Sequence, residues 1–145
     1  EEHFDVGRLQ LELLAGEAAE AALATFTVYV RSDNDARQVG RLHLEHYPGM
    51  TEKSIEAILQ EARQRWPLLA GCVVHRVGSL SPGDHIVWVG VASTHRDAAF
   101  AACEFVMDYL KTRAPFWKKE SGPQGEHWVE ARVGDDDRAR RWGQQ

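Results

Sequence analysis

Gly71-Cys72-Val73-Val74-His75-Arg76-Val77 and His85-Ile86-Val87-Trp88-Val89-Gly90-Val91-Ala92 flank Ser81-Pro82-Gly83-Asp84, and this arrangement decides the fold class. Both runs are rich in β-branched residues, and the Pro-Gly dipeptide between them presets one turn dihedral while permitting an unusual one. They read as a hairpin. Upstream, Thr51 can cap a helix whose Ile55, Ile58, Leu59, Ala62 and Trp66 recur with the 3.6-residue period. Downstream, a third helix is expected from about Asp97 to Lys111, with Phe100, Cys103, Val106, Met107 and Leu110 on its inner face and Pro115 preventing its continuation. Further out, Gly7 to Leu14 can form a short helix, Ala22 to Arg31 and Arg41 to Tyr47 read as strands, and Ser32 to Gly40 reads as a polar loop. Short extended segments are expected at Phe116 to Lys119 and Trp128 to Ala131, and the charge-rich stretch from Gly134 to Arg141 reads as a solvated tail. Helices do not alternate with single strands, so α+β is favoured over a doubly wound sheet.

A chain of 145 residues with 43% hydrophobic content suits one domain with a sizeable core. Its formal charge of −5 argues against a general nucleic-acid or membrane surface, so any cationic site must be local. Cys72 and Cys103 lack CxxC spacing and read as buried thiols in a reducing cytoplasm. No run reaches the roughly 20 apolar residues needed to span a bilayer, and no basic-then-apolar signal pattern is visible. A soluble cytoplasmic protein is expected.

Three places carry possible chemistry. Lys111, Lys118 and Lys119 are three of the four lysines in a chain that otherwise uses arginine. An ammonium whose pKa moves on burial can exchange protons or pair with an anion, where arginine only stays charged. Lys111 also has a simpler reading, since a cation in the last turn of a helix suits the dipole. Lys118 and Lys119 are adjacent, so in a strand they point to opposite faces and only one enters a given site. Second, in Ser93-Thr94-His95-Arg96-Asp97 a strand runs into a helix, with Thr94 and Asp97 at capping-box spacing. Cations in a first helical turn are unfavourable unless an anion binds there too, so His95 and Arg96 mark either an oxyanion site or a surface ion pair. Third, the seven histidines suggest a metal, but His43 and His46 face opposite sides of a strand, and no HExxH or zinc spacing occurs. No metal or cofactor is expected. A GxSxG elbow and a glycine-rich phosphate loop are also absent from the sequence.

Leu44-Glu45-His46-Tyr47-Pro48-Gly49-Met50-Thr51-Glu52-Lys53, His75-Arg76-Val77-Gly78, Pro82-Gly83-Asp84, His95-Arg96 and above all the segment from Met107 to Lys118 occur in the same order as in a known family. From about Ala24 to Trp142 the chain closely resembles the catalytic (large) subunit of molybdopterin synthase. The resemblance implies an α/β hammerhead-like fold with additional antiparallel strands, and sulfur transfer in molybdenum cofactor biosynthesis. It implies a small ubiquitin-like partner whose C-terminal Gly-Gly thiocarboxylate supplies sulfur to cyclic pyranopterin monophosphate, making molybdopterin. It further implies a homodimer within a heterotetramer. The family's essential lysine in Tyr-Leu-Lys-Thr-Arg falls on Lys111, and its second lysine, in Pro-Phe-Trp-Lys, falls on Lys118, which leaves Lys119 a bystander. Its anion-binding residues fall on Arg31, His95, Arg96 and Arg132, with His95 and Arg96 expected to meet the lysines from a neighbouring chain.

One departure stands out. The family commonly reads Phe-Thr-Gly before a Val-Arg pair, and this chain has Phe26-Thr27-Val28-Tyr29-Val30-Arg31. Valine does not share glycine's conformational freedom, so local strand geometry or access of the partner's tail is affected unless the strand is ordinary and Val28 simply packs. Two other functions compete with the synthase: a non-catalytic homologue that keeps the dimer and partner surface, and a small phosphatase-like hydrolase using the same anion site.

Overall fold

Three antiparallel strands form the first sheet: β1 (Ala22–Tyr29) and β5 (Leu68–His75) both pair with the central β7 (His85–Ser93). In this computed structural model the described residues are 4–14, 22–31, 33–34, 37–38, 40–113, 116–123, 125–129 and 138–144. β7 alternates, and the two sides of the sheet are covered differently. Val87, Val89 and Val91 enter the main core with residues of α2 (Met50–Arg65) and α3 (Arg96–Thr112), while Trp88, Gly90 and Ala92 face the other way, where α1 (Val6–Leu14) packs.

The second sheet has the order β6 (Gly78–Leu80), β4 (Arg41–His46), β8 (Phe116–Gly122), β9 (Gly125–Val129), with every pairing antiparallel. Leu42, Leu44 and Leu80 turn inward to the same core as α2 and α3. The expected hairpin exists, since β5 and β7 pair directly, but its connection detours through β6 into the second sheet. Gly78 and Gly83 make that detour possible with φ of 93° and 89°, values that side chains with a Cβ rarely adopt. The loop expected from Ser32 to Gly40 holds a two-residue ladder, β2 (Asp33–Asn34) with β3 (Arg37–Gln38).

α2 forms as its periodicity predicts, with Ile58, Leu59 and Ala62 buried and Ile55 and Trp66 partly so. Its start differs from the expected cap. Gly49 takes the N-cap position at φ 85°, and Thr51, two residues on, uses its hydroxyl to accept the Tyr47 N–H at 3.0 Å, while Glu52 accepts the Gly49 N–H. α3 also spans the expected residues, but Phe100 is 64% exposed. It lies about 120° around the helix from Val106, beyond the stripe of Ala99, Ala102, Phe105, Val106, Tyr109 and Leu110 that meets the sheet.

The tail expectation also needs correction where the chain is described. Ala139 and Trp142 are buried in the core, and Asp108 on α3 accepts from Trp142 Nε1 at 2.7 Å and from the Arg141 guanidinium at 3.0 Å. Arg65 holds the Trp142 carbonyl at 2.7 Å. Two aromatic neighbours, Trp66 and Phe105, meet the Trp142 ring edge-on. Arg138, Arg140 and Arg141 are exposed residues around the buried Ala139 and Trp142, which is why the segment reads as polar.

Candidate active site

Helix α3 runs back along β7, so its last turn, with Lys111, lies at the end of the first sheet where β5 finishes at His75 and β7 begins. Lys111 is exposed there. Lys118 reaches the same region from the second sheet. It pairs with Leu44, which is fully buried, so its side chain leaves β8 on the inward face, beside the His46–Phe116 pair. Lys119 pairs with His43 on the outward face and binds Glu126 at 2.7 Å, with Trp128 under its ammonium. Alternation along β8 therefore separates the neighbouring lysines as expected.

His75 lies within electrostatic reach of both Lys118 and Lys111. Burial pushes this imidazole down from 6.5 to about 4, the bond to the Arg76 carbonyl opposes the shift, and the charges of Lys118, His46 and Lys111 add to it. Three elements, the ends of β4 and α3 with β8, thus bring charged groups within electrostatic reach of a ring carried by a fourth, β5. Arg31 joins this end of the sheet. It is exposed and directly follows Val30, whose N–H donates to the Asp84 carbonyl at 2.9 Å and whose carbonyl accepts from Gly83 N–H at 3.0 Å. Val28 packs against the core, and the β1–β7 register shifts between Val28 and Tyr29. The strand is thus ordinary through Val28 and irregular just before Arg31.

His95 and Arg96 are exposed at the opposite end of α3. Sixteen residues of helix separate His95 from Lys111, about 24 Å at 1.5 Å per residue, so within one chain these groups do not meet. The expected Thr94–Asp97 capping box is absent. His95 itself is the N-cap, in extended conformation and without a side-chain cap bond, and the buried Ser93 hydroxyl accepts the His95 N–H at 3.2 Å while donating to the Pro67 carbonyl. Ser93 wins this role because it is already fixed in β7. Arg132 lies outside the described residues.

Two residues on the inward side of these strands were given no role by the sequence reading. His75 stood within a strand and in one of the family-like blocks but was given no role, and the signal that could have found it is its position at the last residue of a run that ends beside α3. Glu120 is buried on the same face of β8 as Lys118, two residues along, and alternation from Lys118 would have found it. On the outward face, His43 contacts the Ser79 hydroxyl at 3.2 Å and Glu45 at 2.5 Å. This hydroxyl–imidazole–carboxylate order lies on the Lys119 face of the sheet, opposite Lys118, so it cannot serve a hydrolase whose anion site is built on Lys118.

The family model described as MoaE protein matches residues 1–113, well over half of the chain. The chain belongs to this family. It is 56% identical over 139 residues to the molybdopterin synthase catalytic subunit of Pseudomonas aeruginosa, covering 96% of this chain and 93% of that one. It is 55% identical, again over 139 residues, to the Escherichia coli protein of the same name, covering 96% and 92%. The solved MoaE protein from Burkholderia ambifaria superposes with a TM-score of 0.83 at 51% identity, covering 98% of this chain and 93% of that chain. The α+β architecture is therefore the family's architecture. Similarity to the relatives extends beyond residue 113 into the strands that carry Lys118.

Proposed function

We propose that this chain is the catalytic subunit of a molybdopterin synthase, transferring sulfur from a small partner's C-terminal thiocarboxylate to cyclic pyranopterin monophosphate. What supports the reading is the placement of Lys111 in the last turn of α3 and of Lys118 on the inward face of β8, both within electrostatic reach of the partly buried His75. A thiocarboxylate and a pterin phosphate are both anions, and ammonium groups and guanidinium forks are their natural partners. Lys111 transfers protons or orients the thiocarboxylate, and Lys118 stabilises the intermediate that joins pterin and partner tail. Arg31 and Arg132 bind anionic groups of the substrate.

The length of α3 supports a site built from two protomers. His95 and Arg96 stand too far from Lys111 to act on the same molecule of substrate within one chain, and a homodimer brings a second copy of this helix start to the lysines. A small ubiquitin-like subunit then docks at each end of the dimer, giving a heterotetramer. Residues 1–145 act as one domain, in keeping with the shared core of both sheets, and the protein works in the cytoplasm.

The test supplies the thiocarboxylated partner and cyclic pyranopterin monophosphate and measures molybdopterin. Wild-type protein forms product and Lys111→Ala does not. Partner binding without any product from the wild type would instead indicate a non-catalytic homologue, and release of phosphate alone a hydrolase.

A further inference from the structure

Lys111 is the penultimate residue of α3, and the last turn of a helix, whose final carbonyls lack intrahelical partners, is the part that frays. Lys111 is exposed, so the turn that carries it decides where its ammonium points. That turn is gripped from the opposite side. Tyr109 and Arg113 each lie about 160° around the helix from Lys111 and are i, i+4 neighbours on one face. Tyr109 is buried, its ring edge-on to that of Phe105 with 4.4 Å between centroids. Arg113 Cζ lies 3.7 Å from the centre of the Tyr109 ring, and Arg113 Nη1 donates to Glu61 Oε2 on α2 at 2.8 Å. The Arg113 N–H reaches the Tyr109 carbonyl at 2.7 Å. Glu61 is held in turn. Arg65 Nη2 donates to its other oxygen at 3.3 Å and Arg65 Nη1 to the Trp142 carbonyl at 2.7 Å, so one carboxylate joins the last turn of α3 to α2 and to the C-terminal segment.

We propose that Arg113 is a positioning residue for Lys111: bonded to Glu61 and stacked on Tyr109, it fixes the last turn of α3 against α2 and with it the direction of the lysine. This rests on the reading of Lys111 as a working group of sulfur transfer. Arg113 touches no substrate in this role. A planar guanidinium suits it, because one face lies on the aromatic ring while an edge N–H bonds the carboxylate, a combination that a lysine ammonium reproduces only in part. An exposed ion pair contributes little to overall stability, so its loss should show in turnover rather than in folding. Turnover is the sensitive readout, since displacing a reacting group by about 1 Å can cost up to about a hundredfold in rate.

The test is the reconstituted synthase with Arg113→Ala, Arg113→Lys, Glu61→Ala, the Arg113→Ala/Glu61→Ala double variant and Lys111→Ala, together with urea unfolding. Arg113→Ala and Glu61→Ala should each lower kcat on the order of tenfold, with KM for the pterin little changed. The double variant should lose no more than the worse of the two, because both substitutions remove one contact. Arg113→Lys, which keeps the charge, should recover part of the loss, and the urea midpoint of Arg113→Ala should stay close to that of wild type. Wild-type kcat in Arg113→Ala, beside a Lys111→Ala that forms no product, would overturn this role and leave the functional reading standing. Full product from Lys111→Ala would overturn both. A raised KM for the pterin in Arg113→Ala, with Glu61→Ala as active as wild type, would make Arg113 a substrate-binding cation and overturn the positioning role. If Arg113→Ala does not fold, Glu61→Gln decides, and wild-type kcat in that variant overturns the proposal.

Discussion

Acidification should weaken the fold through His75. The ring titrates at about 4 in the folded protein against 6.5 ordinarily, so between those values the unfolded chain binds more protons and stability falls as pH falls. The loss begins below about pH 6.5 and is complete only below about pH 4. From the two pKa values it amounts to about 2 kcal/mol by pH 5 and about 3 kcal/mol by pH 4, upper figures because water screens a partly buried ring. Urea unfolding at several pH values, on wild type and His75→Gln, measures it. Gln does not titrate, so the wild-type curve should drop more steeply over this window. Parallel curves for the two proteins would refute the argument that burial and the surrounding cations hold His75 neutral.

Other consequences concern the scaffold. Asp108→Ala leaves the buried Trp142 Nε1 without its acceptor and releases Arg141, and should cost about 1–3 kcal/mol in chemical denaturation, with a shift in tryptophan emission. An unchanged midpoint would mean that the C-terminal segment is not held by this latch. Gly90→Ala places a Cβ 2.3 Å from the fully buried Trp88 ring and should destabilise by about 1–3 kcal/mol or more, read as a fall in melting temperature. A melting temperature equal to wild type would show that the ring can move aside.

Periodicity made the elements legible, because burial on one face leaves its mark on the order of residues. Ile58, Leu59 and Ala62 of α2, and the valines of β7, are such marks. Phe100 misled because hydrophobicity alone does not say where the centre of a helical stripe lies, and the small alanines at 99 and 102 define it instead. The C-terminal segment misled for the opposite reason, since Ala139 and Trp142 are two buried side chains among exposed arginines. β6 was missed because three residues are too few to show a period, and their pairing with β4 is a long-range event. At the site, the opposite facing of Lys118 and Lys119 was readable from strand alternation. The gathering of His75, His46 and Lys118 was not, because they lie in three strands of two sheets, and only the fold brings them together.

The most direct measurement compares Lys118→Ala with Lys119→Ala in molybdopterin formation from the thiocarboxylated partner and cyclic pyranopterin monophosphate. The substitutions are neighbours in sequence and opposite in facing. Turnover should fall at least about tenfold in Lys118→Ala, as expected when one charge-stabilising donor is removed, and stay near wild type in Lys119→Ala. Equal losses, or a loss confined to Lys119→Ala, would contradict a reaction centre on the inner face of β8.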